Sequence, residues 1–396
     1  MGRGLRLNLS LRALVACAAL FFFGALLSCG DSSEDGSIAN LEETLLHSTP
    51  FKEIMTKAFP GLALRDIQTN IYQIDGSPQW LIEDNGPRLV GHLNSSDSIA
   101  GAMFFAVSGP PGQLAPGMGL TSGTYAALAG LNGNSVAVND VAVLTDDAAS
   151  LVPLQTARSA GKAPFVQERL LEGASISFTP AFASDLDGDG VAELILRRTA
   201  RRGSIVAHQF DVFHLAGSAW HWQRAEVNRQ ESPVLTVLNY WAAVSAAASI
   251  GARWDPNTRL FHVWNWLLDG GASVTPELLA ELSPVVDQAA KDELPAALEA
   301  LRASFKDAYS NFSSDFKVLQ PWPGFINGFR HTEQITVEDL LSPTVLSDNR
   351  ARITHFITLA EREGDILVTR RYKVMFEAKR EGGTWLLDGV EAEELR

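Results

Sequence analysis

The chain has 396 residues, enough for two or three domains that each bury a core, and its 46% hydrophobic and 20% charged content is that of a folded globular protein, not a disordered one. With 32 Lys+Arg against 46 Asp+Glu, the formal net charge of −14 argues against nucleic acid as a partner and against binding anionic lipid by charge. The same charge attracts divalent cations.

The chain opens on "MGRGLRLNLSLRALVACAALFFFGALLSCG", in which Arg3, Arg6 and Arg12 precede an uncharged, mostly apolar run from Ala13 to Leu27. Charge first and a short apolar stretch second is the layout of an export signal. Fifteen residues at ~1.5 Å each reach only ~22 Å, short of the roughly 30 Å hydrocarbon core, so a permanent span is the weaker reading. The run ends in Leu26-Leu27-Ser28-Cys29, which resembles the lipobox of bacterial lipoproteins. The resemblance implies cleavage after residue 28 and acylation of Cys29, so that 1–28 is a lipoprotein signal peptide and the mature chain enters the bilayer through Cys29. The alternative is an ordinary secretory signal with a chance cysteine. Cleavage leaves 29 Lys+Arg against 46 Asp+Glu, a net −17, and it removes Cys17, so no internal disulfide is expected. Gly30, not an acid, follows Cys29, which favours the outer over the inner membrane of the envelope.

Residues 29–38, with "GDSSEDGS", read as a flexible tether. A short helix is expected within "NLEETLLHSTPFKEIMTKAF". From about Ile67 the chain turns to short apolar or alternating runs, "NIYQI", "PQWLI", "AMFFAV", "VAVLT", "AELILRR", "QFDVFHL" and "RLFHVWNWLL", with turn residues between them. Residues 39–271 are therefore expected to form a β-rich domain. Internal similarity supports repeats: "GLNGNSVAVNDVAVL" from Gly130 aligns without gaps on "DLDGDGVAELILRR" from Asp185, and "HLNSSDSIAGAMFF" from His92 aligns with one insertion. The leucines Leu93, Leu131 and Leu186 lie 38 and 55 residues apart, intervals that suit propeller-like or sandwich-like repeats.

Residues 272–290 read as a helical linker. In the next segment Leu294, Leu298, Leu301, Phe305, Tyr309 and Phe312 recur every three or four residues, the spacing of one helix face. Extended runs follow: "EQITVEDL", "ARITHFITLAE", "DILVTRRYKVMFEAKR" and "TWLLDGVEAEE". A helix followed by long strands makes 291–396 an α+β domain.

The acidic loop "DLDGDGVAE" carries the clearest chemistry. Asp185, Asp187 and Asp189 alternate around Gly188 and Gly190, an arrangement that gathers oxygens for calcium. An EF-hand needs a glutamate at the twelfth position and helices on both sides, whereas that position is Leu196 and the following residues read as a strand. The loop resembles the calcium loops of the FG-GAP and VCBS repeat families, found between strands of integrin-type propellers. The resemblance implies a structural calcium ion held by Asp185, Asp187, Asp189, the Val191 carbonyl and Glu193. In the copy at Gly130 the matching positions are Gly130, Asn132, Asn134 and Val138, so that copy is expected to keep the turn without the ion. A solvated acidic turn is the plain alternative.

No G-x-S-x-G, H-E-x-x-H or phosphate-loop signature occurs, and His208, His214 and His221 lack a ligand pattern. The order of elements in 291–396 resembles the cone-shaped α+β family named after nuclear transport factor 2, which includes SnoaL-like cyclases as well as non-catalytic modules. Strand alternation puts His355 among Ala351, Ile353, Ile357 and Leu359, and Arg370 and Tyr372 among Ile366, Val368, Val374 and Phe376. His355, Arg370 and Tyr372 are thus candidate pocket residues, for a small ligand or a proton transfer. The Trp220/Trp222 and Trp264/Trp266 pairs allow glycan stacking or plain core packing.

The sequence therefore points to a multidomain exported lipoprotein, β-rich first and α+β cone-type second. Its expected role is a non-enzymatic binding or scaffolding module in the cell envelope, with an envelope protein or polysaccharide as partner. The alternatives are an enzyme or ligand binder using the C-terminal pocket, and a glycan-binding protein.

Overall fold

The computed structural model describes residues 51–395 except 69, 89–98, 133–134, 167–169, 172–173, 185, 187–190, 204, 217–220, 226–231, 255–261, 272, 285–290 and 341–342. The signal segment 1–28, Cys29, the 29–38 tether, the start of the repeat copy at His92, Asp185, Asp187, Asp189 and Trp220 lie outside the described residues. The chain divides into two compact units, one of Leu27–Arg198 with Asp211–Val227, the other including Thr199–Phe210 and Asn228–Arg396.

The first unit holds most of a twelve-stranded antiparallel sheet, with helices α1 (Phe51–Ala58) and α2 (Leu154–Ser159). Its strands are β1 (Leu64–Gln68), β2 (Ile71–Ile74), β3 (Leu81–Arg88), β4 (Ile99–Ser108), β5 (Gly123–Asn132), β6 (Ser135–Leu144), β7 (Ser150–Pro153), β8 (Leu170–Leu171), β9 (Ala174–Ser184), β10 (Glu193–Arg202), β11 (Ile205–Leu215) and β12 (Trp222–Ala225). They run in the order β1-β2-β3-β4-β5-β6-β7-β12-β11-β10-β9-β8. Consecutive strands pair as hairpins up to β7, and the chain then returns along the far side in reverse. Among the described residues this is one continuous path, with no separate four-stranded blades.

The unbroken apolar runs of the sequence are explained by burial on both faces. Successive strand residues point to opposite sides, so β4 sends Met103, Phe105 and Val107 into one core and Ala102 and Phe104 into another. β5 divides Tyr125 and Ala127 from Ala126 and Leu128, and β6 divides Val141 and Val143 from Ala142 and Leu144. Phe51, Ile54 and Met55 of α1 cover the first core. Phe178, Leu194, Leu196, Phe213 and Trp222, from β9 to β12, fill the second.

The second unit is built around a five-stranded antiparallel sheet of β13 (Thr332–Leu340), β14 (Thr344–Ser347), β15 (Arg350–Glu363), β16 (Ile366–Glu381) and β17 (Thr384–Leu395), ordered β13-β15-β16-β17 with β14 also on β15. Among the described residues six helices accompany it: α3 (Pro233–Gly251), α4 (Trp264–Leu268), α5 (Pro276–Leu282), α6 (Leu294–Ser310), α7 (Ser314–Leu319) and α8 (Trp322–Gly328). Leu294, Leu298, Leu301 and Phe305 are buried on one side of α6, while Phe312 lies beyond the helix and bridges to Leu387.

Two features depart from the sequence reading. Residues 228–271, counted there with the β-rich part, belong to the same compact unit as 291–395. The run "RLFHVWNWLL", expected as a strand, forms α4 at its end, with Trp264 fully buried and its Nε1 donating to the Ile326 carbonyl at 3.1 Å.

Helix α3 joins the unit because it is apolar all round. It starts at Pro233, whose missing N–H costs nothing in the first turn. It is long and apolar enough to cross a membrane by length and composition, yet 89% of that stretch is buried inside the protein, and a core helix of this composition needs a sheet and other helices around it. Thr236 Oγ1 donates to the Trp385 carbonyl at 3.0 Å, tying α3 to β17.

Candidate functional site

The inner face of the sheet, the one turned to α3, can be read from the strand registers. Ile353 lies opposite Phe376 and Phe376 opposite Val390; His355 lies opposite Val374 and Val374 opposite Ala392; Ile357 lies opposite Tyr372 and Tyr372 opposite Glu394. Directly opposed residues share a face, so this face continues through Leu359 and Arg370 to Glu361 and Glu363. It is apolar at one end and charged at the other.

Across the apolar part, α3 contributes Tyr240 and Trp241. A cavity of about 50 Å³ remains between them and the sheet, lined by Tyr240, Trp241, Phe325, Ile357, Tyr372 and Phe376 among others. Tyr240 is 5% exposed, and burial raises the pKa of its phenol, to which no hydrogen-bond partner contributes.

His355 is fully buried beside this cavity but does not line it. The indole Nε1 of Trp241 donates to its Nε2 at 2.6 Å, and its ring stacks on Phe376 with centroids 5.6 Å apart and planes 6° from parallel. An accepting Nε2 assigns the proton to Nδ1, which has no hydrogen-bond partner among the described residues. Burial lowers the pKa to about 3, because the charged form would lose its hydration without gaining a counter-ion. The imidazole is neutral at ordinary pH, and its basic nitrogen is occupied by Trp241.

Arg370 stands one step outward from Tyr372. Its guanidinium meets Glu361 at 3.1 Å, Glu363 at 2.6 Å and Glu394 at 3.6 Å. Desolvation raises the pKa of Glu361, Arg370 lowers it, and Glu363 and Glu394 raise it again. Of the three predicted residues, then, Tyr372 reaches the cavity, Arg370 marks its charged end and His355 is sealed behind Trp241. Tyr240 and Trp241 were missed, because nothing in an evenly apolar helix says which side faces a void.

In the first unit, β9 ends at Ser184 and β10 begins at Glu193, and these strands are neighbours in the sheet. The aspartate loop therefore joins two strands, not two helices. The copy at Gly130 likewise joins neighbours, with Asn132 of β5 opposite Ser135 of β6. Of the proposed ligands only Val191 and Glu193 are described. Glu193 is 3% exposed; its Oε2 accepts from the Leu186 backbone N–H at 2.7 Å, and its Oε1 lies 3.3 Å from His214 Nδ1. The carboxylate thus links the start of β10 back to Leu186. Among the described residues no group of three or more His, Cys, Asp or Glu side chains is placed to hold a metal ion.

His208 Nδ1 lies 2.9 Å from Thr199 Oγ1, a local contact that fits a structural reading. Trp222 is 1% exposed and Trp264 is fully buried, so neither presents a face for stacking on sugar. No family model matches the chain, and no curated protein matches it in sequence.

Proposed function

We propose that the protein is an exported lipoprotein, moored through acylated Cys29 and favouring the outer membrane, that binds a small apolar ligand in a cone-type C-terminal domain without chemical turnover. The observation that carries this reading is the α3-covered cavity of about 50 Å³, walled by aromatic and aliphatic side chains with Tyr240 and Tyr372 among them. Sites for small molecules are concave and mostly apolar with a few polar groups, and this one fits that description. Occupation of the His355 base nitrogen by Trp241 favours binding over proton transfer. In this reading the first unit is a sandwich-like scaffold, its two cores supporting the reading, with one calcium-stabilised loop.

The cavity is far smaller than the roughly 150 Å³ void that takes benzene, so the probe must be smaller than benzene. Isopropyl alcohol is expected to raise the melting midpoint of the full-length protein relative to that of Ala392→Phe, which fills the wall. A midpoint indifferent to the alcohol would end the ligand-binding reading. For the anchor, Cys29→Ser is expected to move the protein from the membrane fraction to the soluble one; retention on the membrane would show another attachment.

A further inference from the structure

We propose that a second cleft of the C-terminal unit binds a neutral, polyhydroxylated ring of monosaccharide size, over a floor of alanines and against Asn239, Ser304 and Asp307. The cleft shares no residue with the apolar cavity, so the inference stands independently of the ligand-binding reading above.

The cleft lies between α3, α6 and the first residues of β11, all within one compact unit. On α3 its wall is Asn239, Ala242, Ala243 and Ala246, whose three- and four-residue spacing puts them on one face. Tyr240 and Trp241 line the apolar cavity instead. Ala242, Ala243 and Ala246 are buried, and side chains that end at a methyl group leave room where two helices and a strand meet. About 330 Å³ is open there. Ligand sites are concavities of roughly 300–1,000 Å³, so this space takes a six-membered ring.

Asn239 is the second observation. Asparagine is a poor residue for a helix interior, because its side chain competes for backbone hydrogen bonds, and the residues around it in α3 are apolar and mostly buried. Thr236, one turn earlier, spends its hydroxyl on the Trp385 carbonyl. The half-buried carboxamide of Asn239 has no such partner among the described residues, and it lines the cleft. Ser304 and Asp307 face it from α6, their side chains likewise without a protein partner among the described residues. His208 and Gln209 border the third side. Carboxamides and hydroxyls each donate and accept, as a sugar hydroxyl does, and the Asp307 carboxylate adds two accepting oxygens for neighbouring hydroxyls. Among the described residues no Lys or Arg lines the cleft to hold an anion, and a lone exposed carboxylate holds a cation only weakly. The alanine floor gives the C–H face of a ring an apolar rest.

The test is saturation-transfer NMR on the full-length protein with D-glucose, D-galactose and D-mannose, and with cyclohexanol as a six-membered ring carrying one hydroxyl. At least one hexose is expected to bind with roughly millimolar affinity and about tenfold more tightly than cyclohexanol. Asn239→Ala is expected to weaken that hexose about tenfold while the melting midpoint holds or rises, since alanine is the better helix former. Asp307→Asn, at an exposed position, is expected to weaken it about threefold and to leave the midpoint unchanged. Silence from all three hexoses, or cyclohexanol binding as tightly as the best of them, overturns the proposal. A lowered midpoint in Asn239→Ala overturns it too, since the carboxamide would then be a structural group. Hexose affinity unchanged in both variants would place the sugar elsewhere on the protein and end the assignment of this cleft.

Discussion

Lowering the pH from 7 to 4 is expected to cost the C-terminal unit about 3 kcal/mol through His355 alone. The sign follows from which state takes the proton. In the unfolded chain the imidazole has its ordinary pKa of about 6.5; in the fold, burial holds it down to about 3. Below pH 6.5 the unfolded state binds a proton that the native state refuses, so stability is lost steadily as the pH falls from 6.5 towards 3, and it is complete above 6.5. The loss approaches 1.4 kcal/mol for each pH unit inside that window. Among the described residues nothing packed against the ring offsets it: Trp241 donates to Nε2, Phe376 covers one face and Nδ1 has no partner. Urea unfolding at pH 7, 5 and 4 measures the effect. His355→Gln keeps an acceptor for the Trp241 N–H and has no proton to gain, so its acid dependence should be shallower than wild type by that amount. The other titrating groups, including Glu361, are common to both proteins and cancel. Parallel curves for the two proteins would mean that the ring is hydrated in the native state.

The same residue shows what the sequence could and could not say. His355, Arg370 and Tyr372 were placed on the inner face from alternation alone, and the registers put them there, because a half-buried antiparallel strand has a period of two and a one-residue slip would bury Arg352 and Thr354 instead. What alternation lacks is the third dimension. It treats the three residues as one group, although Arg370 sits at the charged rim and His355 is closed off by a helix more than a hundred positions earlier in the chain. That helix, α3, has no amphipathic period, since it is buried on nearly every side, and so it shows no face to a pattern search. The α4 stretch failed for a related reason: a short apolar run rich in tryptophan reads equally as strand or helix. Where one side of an element is wet the pattern is legible, and at the centre of a domain it fades.

The unit that carries the aspartate loop is expected to answer to calcium. β9 ends at Ser184 and β10, its neighbour in the sheet, begins at Glu193, and the residues between them include three aspartates on alternate positions. Three carboxylates confined between two anchored strand ends repel one another unless a cation or protons intervene. Glu193 is held by Leu186 N–H and His214, so its oxygens already have protein partners. On this expectation the affinity comes chiefly from Asp185, Asp187 and Asp189, with the Val191 carbonyl and Glu193 as the further proposed ligands. An ion that binds only the folded state stabilises it by about 2.7 kcal/mol at a hundredfold excess over Kd. Thermal melting of the full-length protein in calcium and again in chelator should therefore separate the midpoints of this unit, while the midpoint of the C-terminal unit stays where it is. Asp187→Ala removes a central ligand and should collapse the difference. Asp187→Asn keeps an oxygen at the same place and should leave part of it, which separates loss of coordination from relief of repulsion, since relief alone would raise the chelator midpoint of both variants alike. Coincident melts with and without calcium would leave the loop as an acidic turn without bound metal.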